Sequence, residues 1–260
     1  MRPSIGDFAS LGLMRPTCQL LGPRVIAHVA EEGDYLRVFI RGISEPLYWP
    51  RHLPMYDLHK VLTECFYPDD WHFYEVPETR VRDGDHVVDC GAAEGVFSLR
   101  VLARAGRITL FEPLRLFTES LKRTFQDHTN VCVVNAALSN AEGAGVLQGG
   151  SLYGVVRADG EGEAISITTL DAWLNKSGAR LDFLKADLEG FEERMLEGAS
   201  TSIARWRPRI AITVYHPGND WKTMQARLRE LVPSYKFRVK GLSYNDRVAR
   251  PVMLHCWVDE

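Results

Sequence analysis

Four short stretches of this chain hold residue types at spacings that chemistry needs. In VVDCGAAEGVF (87–97) an apolar run ends at Asp89, turns through Gly91 and Ala92, and enters a helix at about Gly95. Glycine at 91 lets the backbone turn tightly and approach a ligand without a Cβ. Amides at the start of that helix attract an anionic group. In RITLFEP (107–113) a second run ends in Glu112. In DFLKADLEGFE (182–192), Lys185, Asp187 and Glu189 alternate and share one face if the backbone stays extended. Asp187 is placed to take a proton from a hydroxyl or to orient it. Glu189 is a candidate substrate ligand, and Lys185 a partner for a neighbouring acid. In TVYHPGND (213–220), Tyr215 and His216 emerge from a strand end, and the ordinary imidazole pKa suits general-base work. The other seven histidines have no such context, and no spacing typical of zinc occurs.

An acid at the tip of a second strand is placed to hydrogen-bond both hydroxyls of an adenosine ribose, as in nicotinamide and S-adenosylmethionine sites. The glycine spacing here is G-x-x-x-G, so the pyrophosphate-cradling G-x-G-x-x-G is absent. S-adenosylmethionine, which has no phosphates, is the better match. Asp89 then accepts from the methionine ammonium, directly or through water. A nicotinamide-dependent oxidoreductase and a non-catalytic cofactor-binding scaffold are the alternatives.

These residues need elements to position them. Apolar β-branched runs at 86–90, 107–111, 131–135, 182–187 and 209–215 predict strands, completed by 235–240 and 251–258. Helices are predicted near 95–105, 114–126, 169–177, 190–199 and 219–231, the last with Asn219 as a candidate cap. This alternation is that of a doubly wound α/β fold with a mostly parallel sheet. Residues 140–168, interrupted by Gly143, Gly145, Gly149, Gly150, Gly154, Gly160 and Gly162, predict an inserted hairpin or a mobile flap, with Ser151 and Tyr153 near substrate. Residues 1–73 differ in character: a hairpin over 25–40, a helix over 55–66 and many aromatics form an N-terminal cap, and 74–260 form the Rossmann-like domain. Tyr74 and Trp71 are the aromatics expected to reach the pocket, Tyr74 as part of the cofactor site.

The 260 residues carry 45 % hydrophobic and 25 % charged side chains, which suits a globular protein with a real core and excludes disordered and collagen-like classes. A net charge of −3 supplies no broad basic face, so no nucleic-acid partner is expected. No apolar run reaches bilayer length, so no membrane partner is expected either. Five scattered cysteines without a CxxC pair predict reduced thiols. The first residues contain Asp7 and lack the apolar core of a secretory leader, so a cytoplasmic protein is expected. A homo-oligomer is left open.

The run from Asp89 to Gly95, Phe111 to Pro113, TTLD (168–171), LKADLEGFE (184–192), Gly198-Ala199, Pro208 and the Tyr215-His216 ending together resemble the FkbM family of S-adenosylmethionine-dependent methyltransferases over roughly 74–258. The resemblance implies a class I Rossmann-like fold, with seven strands of which one is antiparallel, and O-methylation of small hydroxylated molecules such as sugars or natural-product scaffolds. Carried onto this chain, it implies that Asp89, Gly91, Ala92 and Gly95 form the cofactor turn and Glu112 binds the ribose. Asn135-Ala136 match the stretch lining the adenine, and Asp187 with Glu189 the strand-four acidic motif. The catalytic candidates are Asp187, His216 and Glu189. A metal is not expected; Mg²⁺, if used, would fall to Asp187 and Glu189. Two departures stand out. Ala93 occupies a position where many relatives carry Asn, so a polar contact to the cofactor tail is lost or supplied elsewhere. Ala186 replaces a bulky β-branched residue.

Overall fold

The computed structural model describes residues 18–148, 155–157, 160–243 and 248–259. Helix α1 (Cys18–Val25) leads into a three-stranded antiparallel sheet, β1 (Ile26–Glu32), β2 (Tyr35–Ile40) and β3 (Leu47–Pro50), followed by α2 (Met55–Phe66). The hairpin and the helix lie where the sequence pattern put them. α2 buries Leu58, Leu62 and Cys65, one apolar stripe at helical spacing. That stripe meets the rest of the molecule directly. Trp49, Leu58 and Leu62 share one apolar cluster with Val96, Phe97 and Phe117 of the following layer, so packing runs unbroken across residue 73.

The main sheet holds β4 (His86–Cys90), β5 (Arg107–Phe111), β6 (Val131–Val134), β11 (Phe183–Ala186), β12 (Arg209–Thr213), β13 (Lys236–Ser243) and β14 (Arg250–Trp257). Their spatial order is β13-β14-β12-β11-β4-β5-β6. β14 runs antiparallel to both neighbours and the remaining strands point one way. This is the seven-stranded, one-antiparallel sheet that the motifs imply. Its central strands are buried on both faces, which is why they read as unbroken apolar runs. Val87 and Phe183 face the layer of α3 (Val96–Val101) and α4 (Arg115–Thr124). Val88, Leu184 and Ile210 face α5 (Leu170–Ser177), α6 (Glu192–Glu197), α7 (Ser200–Trp206) and α8 (Trp221–Leu231).

Two expectations change. The helix expected over 190–199 is the shorter α6, and α7 follows it over Ser200–Trp206 where no helix was expected; at Gly198, between them, a Cβ would collide with the Ser139 carbonyl oxygen. The glycine-rich insertion is more than a hairpin: β7 (Ala137–Leu138), β8 (Gly143–Gln148), β9 (Val155–Arg157) and β10 (Glu163–Thr168) form a second sheet ordered β7-β10-β8-β9. Leu147 and Ile165 tie it into the apolar cluster. Ser151 and Tyr153 lie outside the described residues. All five cysteines are free thiols, three of them buried. Among the described residues no helix is long and apolar enough to cross a membrane.

Candidate active site

A cleft of about 1150 Å³, counted out to its mouth, opens beyond the carboxyl ends of β4, β5 and β11. Crevices of doubly wound sheets bind ligands at this edge. The charged side chains lining it are Asp57, Glu64, Glu94, Glu112, Asp187 and Glu189 against Lys60 and Lys185, an excess of acid that favours a cationic ligand.

One end is built by the β4 turn. Gly91 has φ +74°, and a Cβ there would collide with the Asp187 carbonyl oxygen of the adjoining strand end. The Gly91 and Ala92 amides both donate to the Phe111 carbonyl, locking the turn to β5. Ala93 is itself left-handed, with φ +45°. Its N–H donates to Glu112 Oε2 at 2.9 Å, and the Leu114 N–H donates to Oε1 at 2.8 Å. Both Glu112 oxygens are thereby fixed from behind while the carboxylate lines the cleft. Burial pushes its pKa up to about 7 against the pull of those two amides. Gly95, with φ +86°, starts α3 hard against Leu121. Ala92 and Ala136 lie in the cleft wall.

Two of the cofactor candidates do not line the cleft. Asp89 is fully buried and does not line the cleft. Its Oδ2 accepts from Ser98 Oγ at 2.8 Å, and its Oδ1 pairs with Lys185 Nζ at 3.0 Å. Lys185 also donates to the Gly91 carbonyl, so this ion pair braces the turn from beneath and direct contact with a ligand is blocked. Asn135 sits outside the cleft as well. Its amide donates to the carbonyls of Glu112 and Pro113 and to Thr118 Oγ1, stapling the loop after β5.

The other end is built by Asp187, two histidines and the cap. Asp187 Oδ2 accepts from Tyr74 Oη at 2.7 Å, and Oδ1 lies 3.3 Å from Thr213 Oγ1. Burial works to raise the Asp187 pKa, but His72, His216, Lys185 and the Tyr74 hydroxyl carry it well below the usual carboxylate range. It lines the cleft as an ionised acid. Extension does not continue past it: Glu189 adopts φ +51°, so the alternating face predicted for Lys185, Asp187 and Glu189 ends at Asp187. Glu189 still borders the cleft, with burial and the Asp187 charge pushing its pKa up to about 7.

His216 is not the free base expected. Its Nδ1 donates to Glu192 Oε1 at 2.7 Å, and Nε2 faces Asp187 at 3.7 Å and Glu189 at 3.5 Å. Burial opposes its charge, yet the Glu192 hydrogen bond and the surrounding carboxylates carry its pKa up to about 9. It is an imidazolium at neutral pH and does not line the cleft.

Three residues were missed. His72 lines the cleft at 3 % exposure with no hydrogen-bond partner on either ring nitrogen. Nε2 is 3.8 Å from Asp187 Oδ2 and Nδ1 is 3.8 Å from Glu64 Oε2. Burial pushes its pKa down to about 4 even though Asp187 pulls the other way. Glu192, the last residue of the DLEGFE run, is fully buried. It accepts from the amides of Leu188 and Gly190, from Thr213 Oγ1, and from Asn219 Nδ2, besides His216. Asn219 is therefore part of this hub, and the cap of α8 is Asp220. Glu94 lines the cleft at 3 % exposure with Oε2 unpartnered. Trp71 stays out of the cleft, its ring packed against Tyr215 at 5.9 Å.

The close set of metal-type donors is Asp187, Glu192 and His216, within 4.8 Å of one another, and does not include Glu189. Glu192 is already filled by protein donors, and the imidazolium balances the charge there.

The sheet order and the position of the cleft define a class I methyltransferase fold. The sequence matches the methyltransferase FkbM domain over residues 89–239, and the chain belongs to that family. A methyltransferase FkbM from Methylobacillus flagellatus KT superposes with a TM-score of 0.52 at 19 % identity, covering 93 % of this chain and 58 % of its own. The present chain thus spans little more than half the length of that relative. Weaker likeness extends to an rRNA methylase from Streptococcus thermophilus (TM-score 0.43, 11 % identity, 69 % of this chain and 90 % of that one). It extends also to a Streptococcus mutans protein in complex with SAH (TM-score 0.40, 12 % identity, 68 % and 90 %). No curated protein sequence matches significantly.

Family membership implies S-adenosylmethionine as the methyl donor, and the residues present fit it. Glu112 lines the cleft with its carboxylate fixed by two backbone amides, Gly91 to Ala93 line the same cleft, and the lining is acidic as a sulfonium favours.

Proposed function

We propose that this chain is an S-adenosylmethionine-dependent O-methyltransferase acting on a hydroxyl of a small molecule, a sugar or natural-product scaffold. One juxtaposition carries the reading: the ribose-type acid Glu112 and the proton-accepting pair Asp187 and His72, with Tyr74 donating to Asp187, line a single cleft. Bound S-adenosylmethionine supplies an electrophilic sulfonium methyl. Glu112 holds the ribose hydroxyls. Asp187, ionised and oriented by Tyr74, accepts from the acceptor hydroxyl and aligns its oxygen. His72, neutral and with free ring nitrogens, takes the proton, and Asp187 beside it stabilises the imidazolium that forms. His216 and Glu192 hold the loop that presents Asp187. The acidic lining supports a neutral or amine-bearing acceptor over a phosphorylated one, and gives no support to nucleic acid.

The test is calorimetry with S-adenosylhomocysteine on the wild type and Glu112→Ala, followed by a labelled-methyl screen of hydroxylated acceptors. Binding lost in the variant is expected; unchanged affinity removes the ribose assignment.

A further inference from the structure

Three facts about the β4 turn leave one group without an occupation. The acid that the sequence pattern offers to the methionine ammonium, Asp89, is fully buried and already holds Ser98 Oγ and Lys185 Nζ. The side chain at 93 is a methyl group and offers no polar contact. The next residue, Glu94, lines the cleft at 3 % exposure, and its Oε2 has no hydrogen-bond partner. Leaving a buried carboxylate oxygen unpaired costs free energy, and native structures keep such groups where a ligand completes them.

We infer that Glu94 is the acceptor for the α-ammonium of the methyl donor, in place of the buried Asp89. This rests on the methyltransferase assignment above. The placement is dictated by the chain. The Ala93 N–H is bonded to Glu112 Oε2, so residue 94 follows directly on the group that grips the ribose. The left-handed Ala93 redirects the backbone there. An adenosyl ligand whose ribose is held by Glu112 would have Glu94 within the same cleft wall for its amino-acid tail. Of the other acids lining the cleft, Glu112 is held by two amides, Asp187 by Tyr74, Glu64 lies beside Lys60 and His72, Glu189 lies 3.5 Å from His216, and Asp57 sits in the first turn of α2, away from the β4 turn. Burial pushes the Glu94 pKa up to about 7 against the pull of the Glu94 and Val96 amides and of Lys185, and a bound ammonium would draw it to the charged form.

A competing role is purely local, since the amides of Glu94 and Val96 lie close enough to act on this carboxyl. Glu94→Gln separates the two, because Gln keeps an acceptor oxygen and loses only the charge. Two probes are titrated calorimetrically: S-adenosylhomocysteine, which carries the ammonium, and 5′-methylthioadenosine, which lacks the amino-acid tail. Glu94→Gln is expected to weaken S-adenosylhomocysteine binding roughly 10- to 100-fold, the range for a hydrogen bond to a charged group. Binding of 5′-methylthioadenosine should change less than about twofold on the same grounds. Glu112→Ala, by contrast, should weaken both. Equal loss for both probes in Glu94→Gln, or no loss for either, overturns the assignment. Failure of the wild type to bind S-adenosylhomocysteine while remaining folded overturns the methyltransferase reading itself, a different result from either of these.

Discussion

Tyr74 donates its hydroxyl to Asp187 Oδ2 at 2.7 Å, joining the segment that follows α2 to the strand-four acid across 113 positions of sequence. The bond makes the N-terminal region part of the site's electrostatics. The Tyr74 ring is held edge-on by Phe97 at 5.5 Å and by His72 at 5.2 Å, so the hydroxyl has little freedom to leave Asp187. Tyr74→Phe keeps this packing and removes the donor. It should cost about 1–3 kcal/mol of stability, the range for hydrogen bonds to charged groups, read from the denaturant midpoint. A midpoint unchanged within error would show that water replaces the hydroxyl freely.

The two buried histidines should differ in charge. Nitrogen-15 NMR of the imidazoles at pH 7 is expected to show His72 neutral and His216 doubly protonated, following pKa values near 4 and 9. The stability consequence for His216 has a definite sign. Its folded pKa lies above the unfolded value of about 6.5, so its contribution is full below pH 6.5 and is lost as pH rises through about 9. The difference in Tm between wild type and His216→Gln should therefore shrink across that window. Glu192→Gln should bring the His216 titration down toward the ordinary imidazole value. A neutral His216 at pH 7 would restore it as a candidate base.

The site was legible in the sequence where chemistry sits at strand ends. Glu112 and Asp187 terminate apolar runs, and doubly buried parallel strands are hard to mistake for anything else. The engagement of Asp89 with Lys185, which comes from the β4–β11 pairing, could not be read from the sequence. His72 stands in an aromatic stretch that reads as core. Its meaning comes from Glu64 on α2 and from Asp187, far along the chain. Glu192 lay inside a recognised run, yet its hub role depends on Thr213, His216 and Asn219 converging from beyond β12. The second sheet was obscured because its strands are short and broken by glycine, where periodicity has too few residues to register.

Asp187→Asn should separate binding from turnover. Asparagine keeps the shape and can still meet Tyr74, but it loses the charge that aligns the acceptor hydroxyl and stabilises a protonated His72. S-adenosylhomocysteine affinity should stay within about threefold of wild type, while methyl transfer to an acceptor falls by about 10² or more, the range for losing acid–base assistance. Single-turnover kinetics on an acceptor found by the screen checks both. Near-normal turnover would take Asp187 out of the reacting set and leave His72 to act unaided.

Gly91 tests whether the turn and the strand-four acid are one mechanical unit. Its φ of +74° disfavours any Cβ, and the atom that a Cβ would strike is the Asp187 carbonyl oxygen. The Asp187 N–H is itself bonded to the Cys90 carbonyl at 3.0 Å, so no small shift of one strand end spares the other. The left-handed conformation alone costs an alanine roughly 1–2 kcal/mol, and the collision adds to that. Gly91→Ala should therefore lower unfolding free energy by at least about 2 kcal/mol, within the range of strain at a special backbone position. It should also weaken S-adenosylhomocysteine binding and displace the Asp187 signals in NMR, although residue 91 has no side chain to offer any ligand. If affinity falls while the Asp187 signals hold still, the turn acts on the cofactor alone. The two ends of the cleft would then be independent.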